Sequence, residues 1–286
     1  MKNIWNGFVG ILSFINKNFK AFIFLLILFL LFEPNFETPA KSPNLMRIDL
    51  TGVIIDSSQI LKNIKTAKTD ENIKGVLFYV DSPGGSVAPS VEIYMAINDL
   101  KKSKKVVAYA AGTMASGSYY AAAPSDIIVA NPGSTIGSIG VIASIPNIGE
   151  LAKKIGVSEQ IVSAGDYKQT GTIMRAMNDK EKAALQENID DIYTLFVNDV
   201  ANARGLNATK KDEFANAKIF IASKAKDVGL IDEIGSLSDA SEILIEESGV
   251  EEAIWKEPDL IDKLEKRFSQ IITSSFASLF YGVKFY

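Results

Sequence analysis

The sequence predicts an α/β fold. Three apolar runs, Gly75–Val80 (GVLFYV), Val106–Ala111 (VVAYAA) and Asp126–Ala130 (DIIVA), have the length and composition of buried strands. Stretches of helical character separate them, and buried strands that alternate with helices build βα units. The chain of 286 residues is 47% hydrophobic, enough for a real core.

The first element is an apolar segment. Residues 1–20 carry Lys2, Lys17 and Lys20 and no acidic residue, and Ala21–Phe32 (AFIFLLILFLLF) is uncharged throughout. A full membrane span takes about 20 residues. Phe19 and Phe36 lengthen the run, and Lys20 can reach the interface. The expectation is a transmembrane anchor over residues 21–36, with residues 1–20 in the cytoplasm because positive charge precedes the run. A cleaved signal peptide has a similar plan, but no small-x-small cleavage site follows Phe32. A core helix would show polar positions at helical spacing, and this run shows none. Residues 37–44, with Pro39 and Pro43, read as a stalk.

From Leu45 the pattern is globular. Met46, Ile48 and Leu50 alternate, and Val53–Ile55 continues a strand or hairpin. The run ending at Val80 leads into Asp81-Ser82-Pro83-Gly84-Gly85, then a helix with Val91, Met95 and Ile97 that ends near Lys101–Lys105. The second strand leads into Gly112–Ser118, then helical Tyr119–Ala123; the third leads into Gly133–Val141 (GSTIGSIGV). Asp179–Arg204 carries Leu185, Ile189, Ile192, Leu195 and Phe196 at helical spacing and ends at Gly205, so it reads as a long amphipathic helix. Lys218–Ala222 and Ala225–Ile234 read as a strand and helix packed back onto the core. Ile272, Phe276, Leu279, Phe280 and Val283 recur on one helical face within Phe268–Tyr286, either packed on the domain or a neighbour, or lying on a membrane surface.

Composition narrows the chemistry. The net charge of −4 gives no basic footprint for nucleic acid. Without Cys the chain has no disulfide, thiolate nucleophile or zinc–sulfur site. Without His it holds no Ser-His-Asp triad, imidazole base or imidazole-bound metal. Proton transfer near neutral pH falls to Lys, Asp, Glu, Tyr or the N-terminus.

Four stretches can carry chemistry. Gly84 and Gly85, after a buried strand, form either an ordinary turn or one whose N–H groups hold an oxyanion. Ser116 lies among small residues at a strand-to-helix junction, as a helix cap or as a nucleophile, with Ser118 the second choice. Lys168, in Ser163-Ala164-Gly165-Asp166-Tyr167-Lys168, is either a surface charge or the missing base. Burial disfavours an ammonium and lowers the lysine pKa from about 10.4 toward 7–8, and Ser-Lys pairs replace the triad in some hydrolases. Ser138 lies in a loop that either packs tightly or presents its hydroxyl to the lysine amine.

Together, Asp81–Gly85, Met114-Ala115-Ser116-Gly117-Ser118-Tyr119-Tyr120, Thr135–Val141 and Ser163–Lys168 resemble the signal peptide peptidase A family in its short, single-domain form. The similarity runs over about residues 45–240. It implies a ββα spiral like that of the crotonase and caseinolytic proteases, and a membrane-bound serine endopeptidase without metal or organic cofactor. By this resemblance Ser116 corresponds to the nucleophile, Lys168 to the general base, Ser138 to the serine that orients it, and Gly84 and Gly85 to the oxyanion donors. It further implies remnant signal peptides as substrates and a homo-oligomeric bowl, with serine and lysine sometimes supplied by neighbouring chains. The compartment so implied is a bacterial-type inner membrane, with the catalytic domain on the extracytoplasmic side. Residues 45–240 would be the protease domain and residues 241–286 a C-terminal helical extension. Ser118 departs from many relatives, which have glycine there. A crotonase-like acyl-CoA enzyme and an inactive membrane scaffold of the same fold are the alternatives.

Overall fold

The computed structural model describes residue 14, residues 17–31 and residues 42–256. They fall into two compact units that divide between residues 41 and 42. In the first, helix α1 spans Phe19–Leu31, 13 residues. At 1.5 Å per residue it is about 20 Å long, short of the roughly 30 Å of a bilayer core. Among the described residues no helix is long and apolar enough to cross a membrane. Residues 32–36 of the expected anchor, most of the stalk and the helix expected over 268–286 lie outside the described residues.

The second unit is built on one sheet. Its strands are β1 (Leu45–Thr51), β2 (Gly75–Ser82), β3 (Lys105–Ala115), β4 (Ile127–Ala130), β5 (Thr135–Gly137), β6 (Ile219–Ile221) and β7 (Glu233–Ile234). The main path runs β1-β2-β3-β4-β7, parallel at each step. β5 joins the far end of β3 in parallel, and β6 pairs antiparallel with β5. The helices are α2 (Ser58–Thr69), α3 (Val87–Leu100), α4 (Gly117–Ala122), α5 (Gly149–Lys154), α6 (Asp179–Arg204), α7 (Lys211–Phe214), α8 (Ala222–Asp227) and α9 (Leu237–Ser248).

Both faces of the sheet are covered, which explains the unbroken apolar runs. Side chains alternate along a strand. Val76, Phe78 and Val80 of β2 and Val106, Ala108 and Ala110 of β3 join one core with Ile93 and Ile97 of α3 and Phe196 and Val200 of α6. Leu77, Val107, Tyr109 and Val129 point the other way, onto Ala240 and Leu244 of α9. A strand buried on both faces cannot alternate with polar residues. Full burial of a side chain such as Phe78 contributes about 1.5–3 kcal/mol.

Several elements differ from the sequence reading. Ser58–Thr69 is a helix that composition hid, because only Ile64 and Ala67 of its 12 residues are buried. Of Val53–Ile55 only Ile54 is paired, in an isolated bridge to Gly85. α8 ends at Asp227, and Gly229 (φ 78°) turns the chain toward β7 instead of continuing a helix to Ile234. The expected boundary at 240/241 falls inside α9, and beyond it Trp255 bridges to Leu45 at the start of β1. α6 spans the expected residues: Asn178 accepts from the Glu181 amide in a capping box, and Gly205 closes the far end at φ 64°.

Candidate active site

The site begins where β3 changes partners. Val107–Ala110 pair with β4, whereas Thr113–Ala115 pair with β5. Against β2, Val80 faces Ala110 but Ser82 faces Met114, so β3 carries two extra residues at this point. The Asp81 carboxylate accepts from the Thr113 amide at 3.0 Å, and a Cβ on Gly112 would lie 2.8 Å from that carboxylate. The strand thus runs to Ala115, past the Gly112 at which the sequence reading ended it, and delivers Ser116 at the C-terminal end of an interior strand.

Ser116 sits at φ 55°, ψ −126°, a conformation that favours glycine. Its amide donates to the Gly137 carbonyl at 2.8 Å, and its carbonyl accepts from Tyr120 at 3.0 Å. Its side chain makes no capping hydrogen bond to α4, so the helix-cap reading does not hold. Ser118 is the structural serine of the pair. It is fully buried, its hydroxyl accepts from the Ala115 amide at 2.9 Å, and it donates toward the Ser82 carbonyl at 2.6 Å. The hydroxyl that departs from the family pattern therefore pins the end of β3 to the Ser82 turn.

Three glycines crowd the backbone around Ser116. A Cβ on Gly84 (φ 93°) would lie 2.6 Å from the Gly117 nitrogen and 2.9 Å from the Ser116 Cβ; one on Gly117 would lie 3.3 Å from the Gly85 nitrogen. Side chains at these positions would force the two turns apart. The Gly84 amide is engaged, donating to the Ser82 hydroxyl at 3.1 Å. Ile54 donates to the Gly84 carbonyl at 2.9 Å and accepts from Ser86 at 2.7 Å, so the Gly85 N–H lies on the edge away from Ile54. Gly117 opens α4, where an amide has no intrahelical acceptor. Gly85 and Gly117 therefore carry the amides at this turn that neither Ser82 nor Ile54 engages. The sequence reading missed Gly117; its signal was its place as the first helical residue after the nucleophile candidate.

An apolar cleft adjoins Ser116. Val87 and Val91 of α3, Tyr120, and Ile192, Leu195 and Phe196 of α6 form its walls. Tyr120 packs on Phe196 with ring centroids 4.6 Å apart, and its hydroxyl donates to the Asp199 carboxylate. Burial, reinforced by Asp199, raises the Tyr120 pKa far above its usual value, so the phenol stays neutral. The lining carries no formal charge.

Of the remaining candidates, Ser138 lies beside the site, one residue past the Gly137 carbonyl that takes the Ser116 amide, and its loop reaches the cleft through Gly140, Val141 and Ile142, whereas Lys168 does not line the cleft in the single chain. Ser138, half-buried, sits at φ 50° with its amide donating to the Lys218 carbonyl at 2.7 Å. Lys168 lies in an exposed turn, its amide donating to Gly165 at 3.2 Å. It is not among the residues lining the Ser116 cleft. The burial expected of a lysine base is not present within one chain.

Residues 98–251, more than half of the chain, match Peptidase family S49. A protein named as a protease in Synechocystis is 38% identical over 207 residues, 72% of this chain and 74% of its own length. The chain belongs to peptidase family S49. The S49 match contains Ser116, Ser138 and Lys168. A match to Clp protease over residues 47–136 contains Gly84 and Gly85 and runs from β1 into β5, in keeping with the mixed α/β sheet of that fold. Another relative, named as a protease in Methanocaldococcus jannaschii, is 39% identical over 185 residues, covering 65% of this chain and 60% of its own length. One from Enterococcus faecium, named signal peptide peptidase SppA, is 32% identical, over 77% of this chain and 68% of its own. The family resemblance carried by the four motifs is thereby established as an SppA-type S49 protease.

Proposed function

We propose that the protein is a membrane-anchored serine endopeptidase in which Ser116 is the nucleophile and Lys168 the general base. One observation carries the reading: a serine in a strained turn, its hydroxyl committed to no helix cap, between two glycine amides and beside an uncharged apolar cleft. Neutral Lys168 accepts the Ser116 proton as Oγ attacks a peptide carbonyl. The amides of Gly85 and Gly117 hold the oxyanion, with Gly84 shaping the turn; one such donor is worth about 10²–10³ in rate. The lysine returns the proton to the leaving amine, and water hydrolyses the acyl-enzyme. Ser138 accepts from or donates to the lysine nitrogen and fixes its direction. No metal or organic cofactor enters these steps.

Extended peptide binds by adding a strand at the free edge of Gly85, with an apolar side chain in the cleft. Remnant signal peptides suit that cleft and are the substrates of this reading. Lys168 is exposed in one chain, so the reading requires a homo-oligomer whose assembly buries it near a Ser116. The positive charge ahead of the apolar run supports an anchor that leaves the N-terminus in the cytoplasm and the protease domain outside, in a bacterial-type inner membrane.

The test uses the full chain in detergent and a fluorogenic peptide with leucine at the scissile position. Ser116→Ala and Lys168→Ala are each expected to lower kcat by about 10³ or more. A Lys168→Ala enzyme that cleaves at the wild-type rate would remove the lysine from the mechanism.

A further inference from the structure

We propose that Gln169 is a positioning residue for Lys168, acting through an Arg175–Glu181 clamp at the start of α6; this rests on Lys168 being the base. The turn that carries Lys168 lies between α5 and α6, and residues 157–178 contain neither helix nor strand. Its own backbone bonds are few: Lys168 to Gly165 at 3.2 Å, Thr170 to Tyr167 at 3.0 Å and Thr172 to Gln169 at 3.0 Å. Glycines at positive φ, Gly165 and Gly171, bracket it. Left to these bonds alone, a lysine on a four-carbon stem would sample many positions.

Gln169, the next residue in the chain, supplies what the backbone lacks. Its side-chain amide donates to the Ser163 hydroxyl at 3.3 Å, and its carbonyl accepts from the Arg175 guanidinium at 3.2 Å. That guanidinium forks onto Glu181, with Nη1 to Oε2 at 2.8 Å and Nη2 to Oε1 at 2.7 Å. The fork is the rigid, bidentate geometry that only arginine offers a carboxylate. The Glu181 side chain is 1% exposed and also accepts from the Asn178 amide at 2.9 Å. The turn is thus tied, through one side chain, to a buried carboxylate that cannot wander.

The anchor point explains why this tie bears on catalysis. Glu181 lies in the first turn of α6, and Ile192, Leu195 and Phe196 of the same helix wall the cleft beside Ser116. One rigid helix therefore carries the lysine turn at its start and the substrate cleft along its length. Whether Lys168 serves its own Ser116 or that of a neighbouring copy, its position is referenced to the cleft wall. Misplacement of a catalytic group by about 1 Å can cost on the order of 10²-fold in rate.

Gln169→Met, close in length and shape but unable to make either bond, tests this in the full chain with the same peptide. We expect kcat to fall about tenfold or more, KM to stay within about twofold and the melting temperature to change by no more than about 2 °C, because Gln169 is half-buried. Ser163→Ala, which removes only the weaker tie on an exposed residue, is expected to lower kcat about threefold and gives the reading should Gln169→Met not fold. A kcat within about twofold of wild type in both variants overturns the inference, as does a rise in KM that accounts for the whole loss. Lys168→Ala measured in parallel separates the two ideas. If it retains wild-type activity the base assignment fails and takes this inference with it; if it is inactive while Gln169→Met is unaffected, only the positioning role fails.

Discussion

Replacing Ser116 by glycine should make the protein more stable and inactive. The residue sits at φ 55°, ψ −126°, where a Cβ is strained. Residues held in such regions cost about 1–3 kcal/mol, and glycine relieves that strain. Glycine also loses more freedom on folding, about 0.4–1 kcal/mol relative to alanine. The difference leaves Ser116→Gly more stable than Ser116→Ala by about 1 kcal/mol. In a domain of this size, that is about 2–4 °C in melting temperature. Alanine is the needed comparison, since it also lacks the hydroxyl but keeps the Cβ and hence the strain. Both variants are expected to lose peptidase activity. Thermal denaturation of wild type, Ser116→Ala and Ser116→Gly in one detergent buffer measures the gap. If the glycine variant melts at or below the alanine variant, the turn stores no strain and the geometric case for Ser116 loses its support.

Ser118→Ala should show the opposite pattern. It leaves the buried Ala115 amide without its side-chain acceptor, at about 1–3 kcal/mol, so the melting temperature should drop by about 5 °C while a serine-reactive probe still labels the protein; labelling lost in Ser118→Ala and kept in Ser116→Ala would reverse the two roles. The Arg175 guanidinium, helped by the Asn178 amide, holds the Glu181 carboxyl down from 4.5 to about 2. A carboxyl lowered on folding stabilises the protein above its unfolded pKa, and that contribution is lost as pH falls from about 4.5 toward 2. Wild type should therefore lose melting temperature across that range more steeply than Glu181→Gln, and parallel acid limbs would show that the clamp does not couple to stability.

Local pattern alone determined much of this protein. α6 was readable from its apolar spacing and its glycine stop, and β2, β3 and β4 from runs whose burial on both faces forbids polar residues. The absence of His and Cys limited the available bases before any contact was known, and the residues around Ser116 marked a turn of small side chains. Tertiary structure alone decided what depends on partners distant in sequence. The hydroxyl of Ser118 is structural because Ser82, 36 residues away, meets it. β3 runs on to Ala115 because β5 arrives to pair with it. Gly117 joins Gly85 at the site because two separate turns close to backbone contact. α2 exists because a mostly polar segment has Ile64 and Ala67 to bury against the sheet. Lys168 shows the same division at its sharpest: residue type recommended it as a base, but solvent exposure belongs to the folded chain and its assembly, since desolvation is set by neighbours and not by the residue itself.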